Sequence, residues 1–168
     1  MSKGFTLAEL MIAFAITVIL LTVGAPSLTN LYHTTRAEHA IKKIHQALVL
    51  TRSHAVSLGQ RVVACPLENN KCINNWQQGI SVFTDTNNDQ QVNGDDVLLY
   101  STGPFNSDDF VTYNQQNVIS FRADGISASG AGTLSYCPNN KQHQASKAIS
   151  INMAGRIRYK TDTVIDCL

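Results

Sequence analysis

Near the end of this sequence, in the stretch GRIRYK, the cations Arg156, Arg158 and Lys160 sit two residues apart. On an extended strand that spacing sends their side chains to one face, about 6.6–7 Å apart, and sends Ile157 and Tyr159 to the other. Such a row suits a row of phosphates, and arginine forks grip phosphate oxygens two at a time. Phosphates repeat along a DNA strand at a comparable interval, so the chemistry on offer is capture of a DNA backbone with little sequence preference. Lys147 and Lys141 lie close enough in sequence to widen the patch. The same alternation also describes an ordinary solvated strand face, or the basic guard of an exposed sheet edge. No aromatic run interleaves with the cations, which argues against a base-stacking platform.

Other residues carry different chemistry. Residues 5–25 form an apolar run of 21 whose only charge is Glu9. An ionised carboxylate near the centre of a membrane span costs about 2.5–3.5 kcal/mol even on lenient scales, so Glu9 calls for a partner. Asp85, Asn87, Asp89, Asn93 and Asp96 fall at positions 1, 3, 5, 9 and 12 of a calcium-loop pattern. Position 6 is Gln90 instead of glycine, position 12 is an aspartate instead of a glutamate, and a polar hairpin turn has the same composition. The cysteines at 65, 72, 137 and 167 lack the spacing of a zinc site. They suggest two disulfides in an oxidising compartment, with Cys65–Cys72 and Cys137–Cys167 favoured: the first closes a short polar loop and the second staples the C-terminal end. The five histidines (33, 39, 45, 54 and 143) show no metal spacing either. No nucleophile elbow, phosphate-binding loop or H-E-x-x-H is present, so nothing points to an enzyme or a cofactor.

These residues need elements to position them. The run 5–25 is long enough to cross a membrane once. Only Lys3 precedes it and Pro26 follows its small residues, which disfavours a simple cleavable signal. Beyond Pro26, Ala37, Ala40, Ile41, Ile44, Ala47, Leu48, Ala55 and Leu58 recur at three- and four-residue spacing. This predicts an amphipathic continuation of the helix, capped at Gly59 and kinked near Gly24 and Pro26. After Gly59 the chain reads as short strands: QRVVACP, GISVFTD, DDVLLYS, VISFRADG, GTLSYCP, and a final hairpin in AISINMAGRIRYK turning at Ala154-Gly155. Trp76 reads as a core anchor. The fold class is therefore α+β, one long N-terminal helix packed on antiparallel sheet. Net charge is only +1, yet residues 84–124 hold seven aspartates against Arg122, and residues 136–168 hold five Lys/Arg against Asp162 and Asp166. A polyanion should meet the C-terminal end.

The stretch Gly4-Phe5-Thr6-Leu7-Ala8-Glu9 resembles the signal of type IV pilins and secretion-system pseudopilins. That resemblance implies a type IV pilin fold and divides the chain into a leader (1–4), a transmembrane and assembly helix (5–27) and a periplasmic or extracellular globular domain (28–168). It further implies cutting between Gly4 and Phe5 by a prepilin peptidase and methylation of the new N-terminus. Glu9 would then pair with the N-terminal amine of a neighbouring subunit. Such a subunit is anchored in the inner membrane before it joins a surface fibre of other pilins. TRSHAVSLGQRVVACP, WQQGISVFTDTNNDQQVNGDDVLLY, ISFRADGISASGAGTLSYCP and ISINMAGRIRYK resemble the GspH/FimT group of minor pilins and pseudopilins. Gly155-Arg156-Ile157-Arg158 looks like the Gly-Arg-x-Arg motif of FimT-type pilins, which implies DNA binding in natural transformation. A structural pseudopilin or pilus-priming subunit without DNA binding is the alternative within the same resemblance.

Overall fold

Thr6 and Glu9 start the helix by serving each other. The Glu9 amide donates to Thr6 Oγ1 at 3.3 Å, while Glu9 Oε2 accepts from the Thr6 amide at 2.8 Å and the Thr6 hydroxyl at 2.9 Å. This capping box satisfies donors that have no partner within the first helical turn. In the computed structural model, which describes residues 4, 6–115, 117–161 and 164–167 and only the backbone of 23–26, α1 then runs Leu7–Leu58. Its 52 residues reach about 78 Å at the standard rise. The helix continues through Gly24 and Pro26, so the kink that the sequence predicts there does not interrupt it; one hydrogen bond lost to proline does not end a helix whose other bonds persist. The N-terminal half is long and apolar enough to cross a membrane, and its 18-residue hydrophobic window is 0% buried.

The C-terminal half of α1 is one-sided. Ala37, Ile44, Ala47, Leu48 and Ala55 are fully buried, whereas Leu58, expected on the same stripe, is 48% exposed beside the Gly59 cap. Thr51 is buried on the stripe too, its hydroxyl donating to the Ala47 carbonyl at 2.6 Å. Gly59 takes the left-handed conformation, φ 65°, that closes helices.

Ten strands follow: β1 (Val62–Cys65), β2 (Leu67–Glu68), β3 (Lys71–Cys72), β4 (Ser81–Thr84), β5 (Leu98–Ser101), β6 (Phe110–Tyr113), β7 (Ile119–Phe121), β8 (Gly132–Cys137), β9 (Lys147–Ile151) and β10 (Ile157–Lys160). They form two antiparallel four-stranded sheets, ordered β5-β4-β1-β7 and β10-β9-β8-β6, with β2-β3 as a small flap. Ile44 and Leu48 pack with Val62, Ala64, Val82, Leu134 and Ile149 in one core that joins the helix to both sheets. Every residue of β1 is buried, because the far side of Val63 and Cys65 is covered by Cys72, Phe83, Val118 and partly buried Leu67. Trp76 is 2% exposed and packs on Tyr113 with ring centroids 5.4 Å apart.

Two kinds of tie fasten the sheets. Asp109, with a fully buried side chain, takes Arg36 of the helix at 2.5 Å, the Tyr136 hydroxyl, and the Asn139 amide at 3.1 Å. Burial and then the Asp109 carboxylate push the Tyr136 phenol far above its ordinary value. Disulfides join Cys65 to Cys72 and Cys137 to Cys167, the second tying the C-terminal tail to β8 across a sequence separation of 30.

Candidate nucleic-acid interface

The final hairpin turns between Asn152 and Arg156. The Asn152 amide donates to the Arg156 carbonyl at 3.1 Å, the Gly155 amide to the Asn152 carbonyl at 2.9 Å, and the Arg156 amide to Asn152 Oδ1 at 2.8 Å. Gly155 is buried at φ 75°, and a Cβ there would collide with the Gly125 carbonyl and come within 3.1 Å of Arg52 Nε. That Nε in turn donates to the Gly125 carbonyl at 3.0 Å. A glycine is therefore required before the first arginine, because the turn must press flat onto the 125 loop and the helix.

Strand β10 begins one residue later than the three-cation row requires, so Arg156 belongs to the turn and Arg158 and Lys160 to the strand. All three are exposed. Arg158 pairs across from Ser150 and Lys160 from Ala148, on the opposite side of the pleat from Ile157 and Tyr159, although Lys160, at the strand's end, also reaches the border of the hollow beside α1. Ile157 and Tyr159 face the other way: Ile157 packs against the core, and the Tyr159 ring stacks on His45 of α1 with centroids 4.7 Å apart. This is the division of faces expected from alternation.

Lys147 sits at the start of β9, in register with buried Tyr136 and hence on the helix side. It borders a hollow of about 530 Å³ together with Glu38 and Lys42 of α1, Tyr159 and Lys160. Lys141 is elsewhere. Its ammonium lies 5.9 Å from the Phe110 ring centroid, and Phe110 opens β6, at the opposite edge of the sheet from β10. Three strand spacings separate the two edges, about 14 Å. Lys141 is thus a separate point of charge and does not widen the patch, since adjacency in sequence across a loop is not adjacency on a sheet.

Sequence reasoning missed the helix contribution. Lys42, His45, Arg52 and Val56 recur at helical spacing beside the buried stripe, and this second stripe borders the last hairpin at Tyr159, Gly155 and Arg156. The signal was in the sequence, but only the hairpin's position gives it meaning.

Among the described residues the ion pairs are Arg36–Asp109, Arg61–Asp85 and Arg122–Asp124. Arg156, Arg158, Lys160, Lys147 and Lys141 take part in none of them. The acidic and basic halves of the sequence are less separate in space than in order: Asp124 lies in the 125 loop beside the basic turn, where Arg122 neutralises it at 2.8 Å. Phe5, the other half of the Gly4-Phe5 junction, lies outside the described residues.

The family model described as type II transport protein GspH matches residues 40–155, more than two thirds of the chain. The chain belongs to the GspH family. A model of the prokaryotic N-terminal methylation motif matches residues 1–25. Among solved structures, the type IV minor pilin FimU of Pseudomonas aeruginosa is similar at 21% identity, TM-score 0.59, over 76% of this chain and 90% of that one. The minor pseudopilin EpsH of the Vibrio cholerae type 2 secretion system is similar at 13% identity, TM-score 0.56, over 74% and 96%. At such identities the likeness establishes the fold, a long helix on antiparallel sheets. A search of curated proteins finds no match. In this GspH-family chain the matched segment stops at Gly155, one residue before Arg156.

Proposed function

We propose that this GspH-family chain is a minor type IV pilin that holds DNA by its phosphates through Arg156, Arg158 and Lys160; Lys147 and Lys42, on the helix side, meet the same backbone only where it passes round the β10 edge. One observation carries the reading: three exposed cations, Arg156 in the turn and Arg158 and Lys160 in the strand, enter none of the ion pairs among the described residues, whereas Asp85, Asp109 and Asp124 each enter one with an arginine. Cations outside the ion pairs of the described residues can exchange counterions for phosphates without first breaking one of those pairs. Lys141, at the far edge, meets DNA only if the duplex lies across the sheet.

The rest of the pilin life cycle belongs to the same proposal. A prepilin peptidase cuts after Gly4 and exposes Phe5, residues 5–27 hold the chain in the inner membrane and later in the fibre, and residues 28–168 project outward. The exposed Leu10, Phe14, Ile16 and Leu21 support that role, being suited to lipid or to a neighbour's helix. Glu9, here occupied with Thr6, would share its carboxylate with a neighbouring subunit's amine. In cells, Arg156→Ala/Arg158→Ala is expected to abolish DNA uptake while fibre assembly persists. Unimpaired uptake with normal fibres would reject the DNA reading.

The second reading, a structural pseudopilin or priming subunit, is favoured by the family match ending at Gly155. On that reading β10 is simply a charged outer edge of its sheet, and the double variant changes nothing about DNA.

A further inference from the structure

The loop joining β4 to β5 is built around acids that the basic strand does not explain. One carboxylate oxygen from each of Asp85, Asp89 and Asp96 lies within 4.8 Å of the others. Two oxygens on opposite sides of a calcium ion are about 5 Å apart, given bonds of 2.3–2.6 Å. Clustering alone is common on surfaces, but burial here is not. Asp85 is 1% exposed, and its Oδ2 accepts no hydrogen bond. Asp96 Oδ2 is equally shielded from solvent and also accepts none. Among the described residues Arg61 is the cation in an ion pair with the cluster, its Nε 3.6 Å from Asp85 Oδ2, too far for a hydrogen bond, and that Nε makes no hydrogen bond. Buried carboxylate oxygens without donors, three acids against one arginine, are what a divalent cation resolves.

We propose that residues 85–96 form a calcium site, with Asp85, Asp89 and Asp96 as its charged ligands. The donor set contains oxygen only, which suits a hard cation and not zinc or copper. Asn87 and Asn93 both point their amides at Asp89 Oδ2, at 2.9 and 2.6 Å, and a half-turn of either amide presents its oxygen instead. Gln90 occupies the position where such loops carry glycine, and it adopts the required left-handed conformation, φ 61°. The shorter aspartate at position 96 supplies less than a bidentate glutamate would, which places the affinity near the 10⁻⁴–10⁻³ M of extracellular calcium modules. The proposal is independent of DNA binding.

The test is thermal unfolding of the full chain in detergent, first stripped with chelator and then titrated with calcium chloride. A saturable rise in Tm of roughly 3–9 °C at about 5 mM is expected, from ligand-linked stabilisation at that affinity. Asp89→Asn, at a half-buried position of the loop, should lose at least two thirds of the rise, while Asp108→Asn, an exposed acid elsewhere, should keep it. Asp85 is left in place because its removal strands Arg61. No rise in the unmodified chain, or an equal rise in Asp89→Asn, would overturn the site. An equal rise with magnesium chloride would overturn the assignment to calcium.

Discussion

Gly155 shows most clearly how one residue sets up the basic surface. Its positive φ and its contact with the Gly125 carbonyl leave no room for a side chain. Gly155→Ala is expected to cost about 1–3 kcal/mol, measured by urea unfolding, because both strain and overlap oppose the new methyl. It should also weaken DNA binding although no charge is removed, since Arg156 would be displaced. Arg36 tests a different principle. Arg36→Met leaves the Asp109 carboxylate, 0% exposed at its side chain, without its cation and should destabilise by about 3–5 kcal/mol. Arg36→Met/Asp109→Asn should recover part of that loss, because the uncompensated charge, not the missing contact, dominates. A smaller loss in the double variant than in the single is the result to look for.

Elements were legible where their pattern was long. The buried stripe of α1 from Ala37 to Ala55 follows helical spacing, and the last hairpin turns where Ala154-Gly155 predicts. FVTY, which forms β6, was not legible: four residues beside a polar loop carry too little alternation, and only pairing with β8 makes them a strand. The division into two sheets was equally hidden, because pairing partners are set by packing in the core that the helix shares with both sheets and not by any single segment. The same limit explains Lys141, whose place at the far edge depends on strand order. The β8–β9 connection adds a pH dependence of its own. His143 Nδ1 accepts the Ala145 amide at 3.0 Å, and the rings of His33 and His143 are 4.9 Å apart. Burial first, then His33 and Arg36, hold the His143 pKa below its ordinary 6.5, with Asp109 opposing. In the unfolded chain His143 takes its proton near that ordinary value, so below it the unfolded state binds more protons and stability falls as pH falls. Tm should therefore drop between pH 7.5 and 5.5, about one unit either side of the histidine range, and His143→Gln should shrink the drop. An unchanged drop would assign the acid sensitivity to other groups.

Across the whole molecule, the fold separates three tasks along the chain. The apolar half of α1 is left bare, the core is closed around its second half, and the last hairpin carries exposed cations at the edge of the second sheet. The acidic loop belongs to the first sheet, joining β4 to β5, so it does not interrupt the basic strand. Phosphate binding by the last hairpin is the function proposed for this molecule. It is tested most directly by the salt dependence of DNA affinity for the fragment beginning at Leu28 and for its Arg158→Ala variant. If Arg156, Arg158 and Lys160 each neutralise one phosphate, log affinity should fall against log salt with a slope of about −2.7, and of about −1.8 in the variant. A slope that is the same for both proteins, or no binding at low salt, would contradict it.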